Sequence, residues 1–267
     1  MSSKYTKNTY NNFAILVLSC DKYSDLWNPF FSQFHKFWPQ CPFNVYLGSN
    51  TKKFRHTDVR TILSGPGIDW SSDLLKILGS IKEEYVFVWM EDLFLVDTVD
   101  TRLFLRGFQF MQKTRANHIH MSPYIRSDGI CDDKLFGFYG KGIPYRLNAP
   151  GFWKRSHLQE LLIPGENPWK FEIMGSYRSG YYEGYYTINK DLFKFIRVVE
   201  KGAITQAAYT YCIKNHIKID LSNRPINTVQ QEIKSCIEKY IFYAITRIPW
   251  RLRVGFMDAL RRIVISY

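Results

Sequence analysis

Two adjacent carboxylates, Glu91 and Asp92, stand immediately after the almost wholly apolar run Tyr85 to Met90. Such a run reads as a buried central strand, and in open α/β sheets ligands bind just beyond the carboxyl ends of the strands. The plainer alternative is a solvated strand end. A second acid, Glu172, follows Trp169 and Phe171 in the stretch Gly165-Glu166-Asn167-Pro168-Trp169-Lys170-Phe171-Glu172. Rings that exclude water raise a carboxyl pKa and bring it into the range of proton transfer at neutral pH. Glu166 is the reserve acid of the same stretch, and the alternative makes Glu172 an ordinary first-turn acid favoured by the helix dipole. Two polar turns complete the set. Ser19-Cys20-Asp21-x-Tyr23 follows the apolar run Phe13 to Leu18, and Trp70-Ser71-Ser72-Asp73 opens a helix in which Ser71 or Ser72 is available as the N-cap. Of the six histidines only His118-x-His120 is suggestively spaced, and without a third ligand it reads as a structural pair.

The elements that must hold these residues alternate between strand and helix, which points to an α/β sheet. Phe13 to Leu18 is a buried strand, Asp25 to Trp38 a helix with Pro29 near its start, and Phe43 to Leu47 and Val59 to Leu63 two further strands before the Gly65-Pro66-Gly67 breaker. Leu74, Leu75, Ile77, Leu78 and Ile81 fall at helical spacing over Ser71 to Ile81. Arg102 to Lys113 is another helix, Ile119 to Tyr145 is Gly- and turn-rich with short strands, and Ser156 to Leu162 is helical. The Gly-punctuated segment with Tyr181, Tyr182, Tyr185 and Tyr186 reads as loop or edge strand.

Composition narrows the function classes. An aromatic content of 17% is more than a core requires, and exposed rings would suit sugars, nucleobases or an interface. A net charge of +12 predicts a polyanionic partner. The body of the chain has no basic arm, so nucleic acid is not expected. From Glu238 to Tyr267 six bases stand against two acids among regularly interleaved apolar residues. That pattern predicts an amphipathic helix pair broken near Pro249, lying on an anionic membrane surface with Trp250 at headgroup depth. Five cysteines without a CxxC pair indicate neither a disulfide framework nor a zinc site, and no apolar leader or membrane span is present, which predicts a reducing, cytoplasmic location. The absence of Gly-x-Ser-x-Gly, P-loop and Gly-x-Gly-x-x-Gly motifs argues against hydrolase, NTPase and dinucleotide-binding classes.

Strand-Glu-Asp-x-Phe-Leu, Val86 to Leu95, resembles the acidic motif of GT-A glycosyltransferases, and Trp169-x-Phe171-Glu172 with Gly151-Phe152-Trp153 resembles the acceptor half of bacterial polysaccharide glycosyltransferases. The likeness covers roughly residues 13 to 200. It implies a GT-A-like, Rossmann-like mixed sheet flanked by helices, spanning 1–237, with the amphipathic helical tail at 238–267. It also implies a nucleotide-sugar donor, first of all a UDP-sugar, bound by Ser19, Asp21, Tyr23, Trp70, Asp73, Glu91 and Asp92. The acceptor would be a glycan, lipid-linked, bound by Trp153, Trp169, Phe171 and Arg178, with Glu172 or else Glu166 taking the hydroxyl proton as the anomeric centre inverts. The product would be a bacterial surface polysaccharide such as capsule or O-antigen, made at the inner face of the membrane.

The family motif is Asp-x-Asp, whereas the acids here are adjacent and would face opposite sides of a continuing strand. The resemblance therefore leaves two forms open. In one, Asp92 holds Mg²⁺ or Mn²⁺; in the other, Arg126, Arg146 or Arg178 neutralises the diphosphate. The rival from another class is a non-catalytic carbohydrate-binding or scaffold subunit of a polysaccharide assembly.

Overall fold

The computed structural model describes residues 10–121, 125–143, 147 and 150–264. In chain order the elements are β1 (Phe13–Leu18), a 3-10 turn (Asp21–Leu26), α1 (Trp27–Phe37), β2 (Asn44–Ser49), β3 (Val59–Leu63), α2 (Trp70–Gly79), β4 (Tyr85–Met90), β5 (Leu93–Leu95) and α3 (Thr101–Thr114). Then follow β6 (His118–His120), β7 (Gly129–Ile130), β8 (Phe136–Phe138), β9 (Gly151–Lys154) and α4 (Arg155–Leu161). A composite helical segment comes next, with α5 (Pro168–Lys170), a π-helical turn (Phe171–Gly175) and α6 (Ser176–Arg178). The chain continues through β10 (Tyr185–Ile188), β11 (Phe195–Arg197), β12 (Val199–Glu200), β13 (Ala203–Ile204), α7 (Gln206–Lys214), α8 (Val229–Thr246) and α9 (Trp250–Val264).

Nine strands form one mixed sheet in the order β3-β2-β1-β4-β9-β6-β10-β8-β7. β3, β2, β1 and β4 are mutually parallel, and β9 enters antiparallel between β4 and β6. The expected mixed α/β sheet flanked by helices is thus present. Because β1 is covered on both faces it is apolar throughout: Phe13, Ile15 and Val17 enter the core under α1 and α3, while Ala14, Leu16 and Leu18 enter the core under α2 and α4.

The aromatic surplus resolves differently from the expectation. Much of it packs the first core, where Phe13, Phe43, Phe87, Phe104 and Phe152 meet edge to face or tilted and Trp89 stacks on Phe193 with centroids 4.3 Å apart. Two local readings also change. The N-cap of α2 is Asp69, which accepts from the Ser72 N–H; hydroxyls of Ser71 and Ser72 bond the same carboxylate and hold its pKa well below the usual range. Tyr185 and Tyr186 are not on an edge, because β10 lies between β6 and β8 and buries Tyr185.

The C-terminal helix pair is present, and its first helix starts before residue 238. α8 begins nine residues earlier, behind a capping box of Thr228 and Gln231. The chain breaks at Pro249 as expected, and α9 then docks on the body. Arg253, with 0% exposure, donates to both oxygens of Asp128 at 2.9 and 2.8 Å and to the carbonyls of Gly142, Thr246 and Ile248. Trp250 lies so close over Gly140 that a Cβ there would meet its ring at 2.8 Å. Trp250 is therefore half-buried against the body. An outward apolar stripe runs along α8 through Val229, Ile233, Ile237, Tyr240 and Ile241, and Leu252 and Phe256 are exposed on α9. No helix among the described residues is long and apolar enough to cross a membrane.

Candidate active site

The parallel half of the sheet delivers its strand ends to one edge. There Asp21 accepts the backbone N–H groups of Asn50, Thr51 and Lys52 at 3.2, 3.0 and 3.0 Å, and also the Thr51 hydroxyl. Burial opposes its charge, but the Thr51 hydroxyl and these N–H groups outweigh it and hold the carboxyl below the usual range. Asp21 thus ties the loop after β1 to the loop after β2 and has little left for a nucleoside. Ser19 is likewise engaged, accepting from the Trp27 indole at 2.7 Å.

Asn50, which the motif reading missed, joins the two remaining donor-side elements. Its Nδ2 donates to Asp73 Oδ2 at 2.9 Å and its Oδ1 accepts from the Asp21 N–H. The other Asp73 oxygen is enclosed, with no hydrogen-bond partner among the described residues. Gly67 sits against this pair, where a Cβ would come within 3.1 Å of Asn50 and 3.2 Å of Asp73.

Glu91 and Asp92 lie where the sequence places them, at the end of the central strand β4, and the strand has ended before them. The chain turns, the Asp92 carbonyl accepts the Val198 N–H at 2.7 Å, and β5 departs to pair with β11. Glu91 is only 4% exposed and faces Ser19 and Cys20. Burial, with Asp92 beside it, raises its pKa well above the ordinary value. Asp92 is half-buried and also raised, by burial, against the pull of Arg197 and Arg224. Two such acids share protons at neutral pH rather than carry two full charges.

The residues do not fit the divalent cation that the family motif implies. A hard cation needs several charged oxygens in one shell. Here the Glu91 Oε2 is sealed from solvent, without a partner among the described residues, and the charge of Asp92 is opposed by Arg197 and Arg224.

Arg197 and Arg224 were not legible as site residues. Arg224 is buried, donates to both oxygens of Asp25 at 2.9 and 3.1 Å, and lies over the Tyr23 ring at 4.1 Å. Tyr23 is thereby placed at the acids, with its phenol raised by burial and then lowered in part by Arg224. Of the bases named from the sequence, Arg178 is engaged elsewhere, Arg126 is exposed, and Arg146 lies outside the described residues.

Four of the residues expected to bind or deprotonate an acceptor are engaged in the fold instead. Trp153, 2% exposed, lies on β9 against the His118 ring and has no sugar-facing surface. Phe171 is buried and packs on Trp70 with centroids 5.5 Å apart. Glu166 and Arg178 hold each other in a two-pronged ion pair at 2.8 and 2.7 Å, while Arg178 also donates to the Leu161 carbonyl. Glu166 further binds Ser71 through its backbone, so this pair braces the start of α2 against the loop at 163–166. Trp169 is 66% exposed.

Glu172 occupies the π-helical turn, a form frequent at functional sites. Two local features make the turn: the Ser176 hydroxyl bonds back to the Glu172 carbonyl at 2.5 Å, and Gly175 lets the Phe171 ring lie where a Cβ would meet it at 3.0 Å. Burial pushes the Glu172 carboxyl up to about 7, with Arg197 working against the rise. Arg197 thus links the acid at the end of β4 with the acid in the π turn. A desolvated acid near neutral pKa with a cation beside it can move a proton and offset negative charge.

No family model matches the sequence, and no curated protein matches it. Among solved structures the chain is similar to TarS residues 1–349 of S. aureus, at 10% identity and TM-score 0.46, over 68% of this chain and 59% of that one. It is also similar to the galactosyltransferase LgtC in complex with donor and acceptor sugar analogues, at 10% identity and TM-score 0.39, over 81% and 84% of the two chains. A third is CMP:2-keto-3-deoxy-manno-octonic acid synthetase complexed with CTP, at 12% identity and TM-score 0.46, over 77% and 98%. The chain spans 59% of the shorter TarS chain and 37% of a longer one. At these scores the likenesses carry no argument about chemistry, which rests on the residues.

Proposed function

We propose that this chain transfers a sugar from a nucleotide-sugar donor to a hydroxyl of an acceptor glycan, with inversion at the anomeric carbon. The observation that carries the reading is Glu172: a carboxyl raised to about 7, in a π turn three residues after exposed Trp169, sharing the charge of Arg197 with Asp92 at the end of the central strand. As the acceptor oxygen attacks the anomeric carbon, its proton passes to the Glu172 carboxylate. The bond from that carbon to the phosphate oxygen breaks, and the electron pair leaves with the nucleoside diphosphate. Asp73 and Trp70 would face the nucleoside, Asp92 the sugar or ribose, and Trp169 the acceptor ring.

The exposed stripe on α8 supports a membrane-surface location, and with it a lipid-linked acceptor in bacterial surface polysaccharide synthesis at the cytoplasmic face. Replacing Ile233, Ile237 and Ile241 with Ser is expected to release the protein from anionic liposomes and leave transfer to a short soluble acceptor intact; retained liposome binding would refute the location.

The transfer reading is tested by incubating the protein with a panel of radiolabelled nucleotide sugars, with and without glycan acceptors, and resolving the products. Acceptor-dependent release of nucleoside diphosphate, with a glycoside of inverted configuration, is the expected result. Glycan binding without any donor turnover would favour the scaffold reading.

A further inference from the structure

We propose that the Arg197 guanidinium, and not a divalent cation, binds the diphosphate of the donor; the inference rests on the nucleotide-sugar reading above. β11 pairs antiparallel with β5, which sets Arg197 opposite Leu93, the residue after Asp92, and the next residue, Val198, bonds the Asp92 carbonyl at 2.7 Å. A rigid ladder therefore carries Arg197 to the acid pair. Its charge acts on the carboxyls of both Asp92 and Glu172. Yet Arg197 is exposed and takes part in none of the ion pairs among the described residues.

The neighbouring base differs on each point. Arg224 is buried, and Asp25 already offsets its charge from 2.9 Å. It shapes the wall and holds Tyr23, whereas Arg197 keeps its fork of donors for a ligand. A planar guanidinium matches two oxygens of a diphosphate, and charge-assisted bonds of that kind need no metal. When the anomeric bond breaks, the electron pair moves onto the phosphate oxygen, and a fixed cation at that point stabilises the leaving group. The buried Glu91, which the family motif would make a metal ligand, is sealed below this surface.

Binding of UDP, GDP, ADP, CDP and inorganic pyrophosphate, and of the four parent nucleosides, is measured by calorimetry on the full chain, in EDTA and again in Mg²⁺ or Mn²⁺. One nucleoside diphosphate is expected to bind in EDTA as well as in metal. Arg197→Gln should weaken it roughly 10- to 150-fold, the loss of one charge-assisted hydrogen-bonded contact, leave its nucleoside unchanged, and be partly rescued by Arg197→Lys. A merely structural role would move nucleoside and diphosphate together. Diphosphate binding that needs the metal, or that survives Arg197→Gln undiminished, overturns the inference and leaves the donor reading standing. A chain that binds none of these ligands overturns the donor reading, and the inference with it.

Discussion

Glu166 and Glu172 stand on the two sides of one short helix start, and the fold gives them opposite fates. Glu166 faces Arg178, accepts two hydrogen bonds from it and becomes a brace between the 163–166 loop and α2. Glu172, six residues further on, has no such partner among the described residues; burial governs it and lifts it to about 7, and the charge that opposes the lift belongs to an exposed arginine. A carboxylate whose hydrogen bonds are all met inside the protein is inert, whereas one that has been dried without being paired is ready to take a proton. The difference lies in the partner each residue meets, not in the residue type or its sequence neighbourhood.

The largest expected effect sharpens that contrast directly. Glu172→Gln should lower the transfer rate by roughly 10² to 10⁴ with donor affinity little changed. Glu166→Gln should keep most of the rate and lose stability instead, because Arg178 is left half-satisfied; equal rate losses in the two variants would erase the distinction. Denaturant unfolding extends the comparison to two tryptophans and one arginine. Trp153→Ala and Arg253→Met, each removing a buried anchor, should cost about 3–5 kcal/mol. Trp169→Ala should cost little stability and instead raise the acceptor KM several-fold, an effect of about 1 kcal/mol. A stable Trp153→Ala protein with a raised acceptor KM would return that ring to the site.

Stability against pH gives a smaller signal with a definite sign. The folded Glu172 carboxyl titrates near 7, above its ordinary 4.5, so the fold favours the neutral form. Its contribution is fully present below about pH 4.5 and is lost as pH rises through 7. Glu172→Gln should therefore gain stability relative to wild type between those pH values, by up to about 3 kcal/mol and less as solvent screens this half-buried group. A constant difference across that window would mean that the acid is not desolvated.

Much of this was legible in the chain itself. The runs Phe13 to Leu18 and Tyr85 to Met90 announce central strands because both of their faces are buried, and the acids after the second run stand at the carboxyl end of β4 for the same reason. Glu172 was legible through its ring neighbours, although the buried ring is Phe171, and Trp169 is in solvent. Other features come only with the fold. Trp153 reads as a surface aromatic until β9 is inserted between β4 and β6, and that register turns it onto His118. Arg224 meets Asp25 across 199 residues of sequence, and Arg197 reaches the acids because β11 pairs with β5, so no local motif could mark either base. The tail was read from its pattern of bases, and nothing in that pattern distinguishes Arg253, buried on Asp128, from its exposed neighbour Arg251.

The most direct test of the account is the pH profile of kcat/KM for transfer at fixed donor and acceptor, in wild type and in two variants. The account predicts an ascending limb in wild type with its midpoint near 7, as the Glu172 carboxylate forms. It predicts that the limb disappears in Glu172→Gln, and that in Arg197→Gln it moves to higher pH, because the charge that favours the carboxylate is gone. An ascending limb that persists unchanged in Glu172→Gln would contradict the central claim and assign the proton to another group.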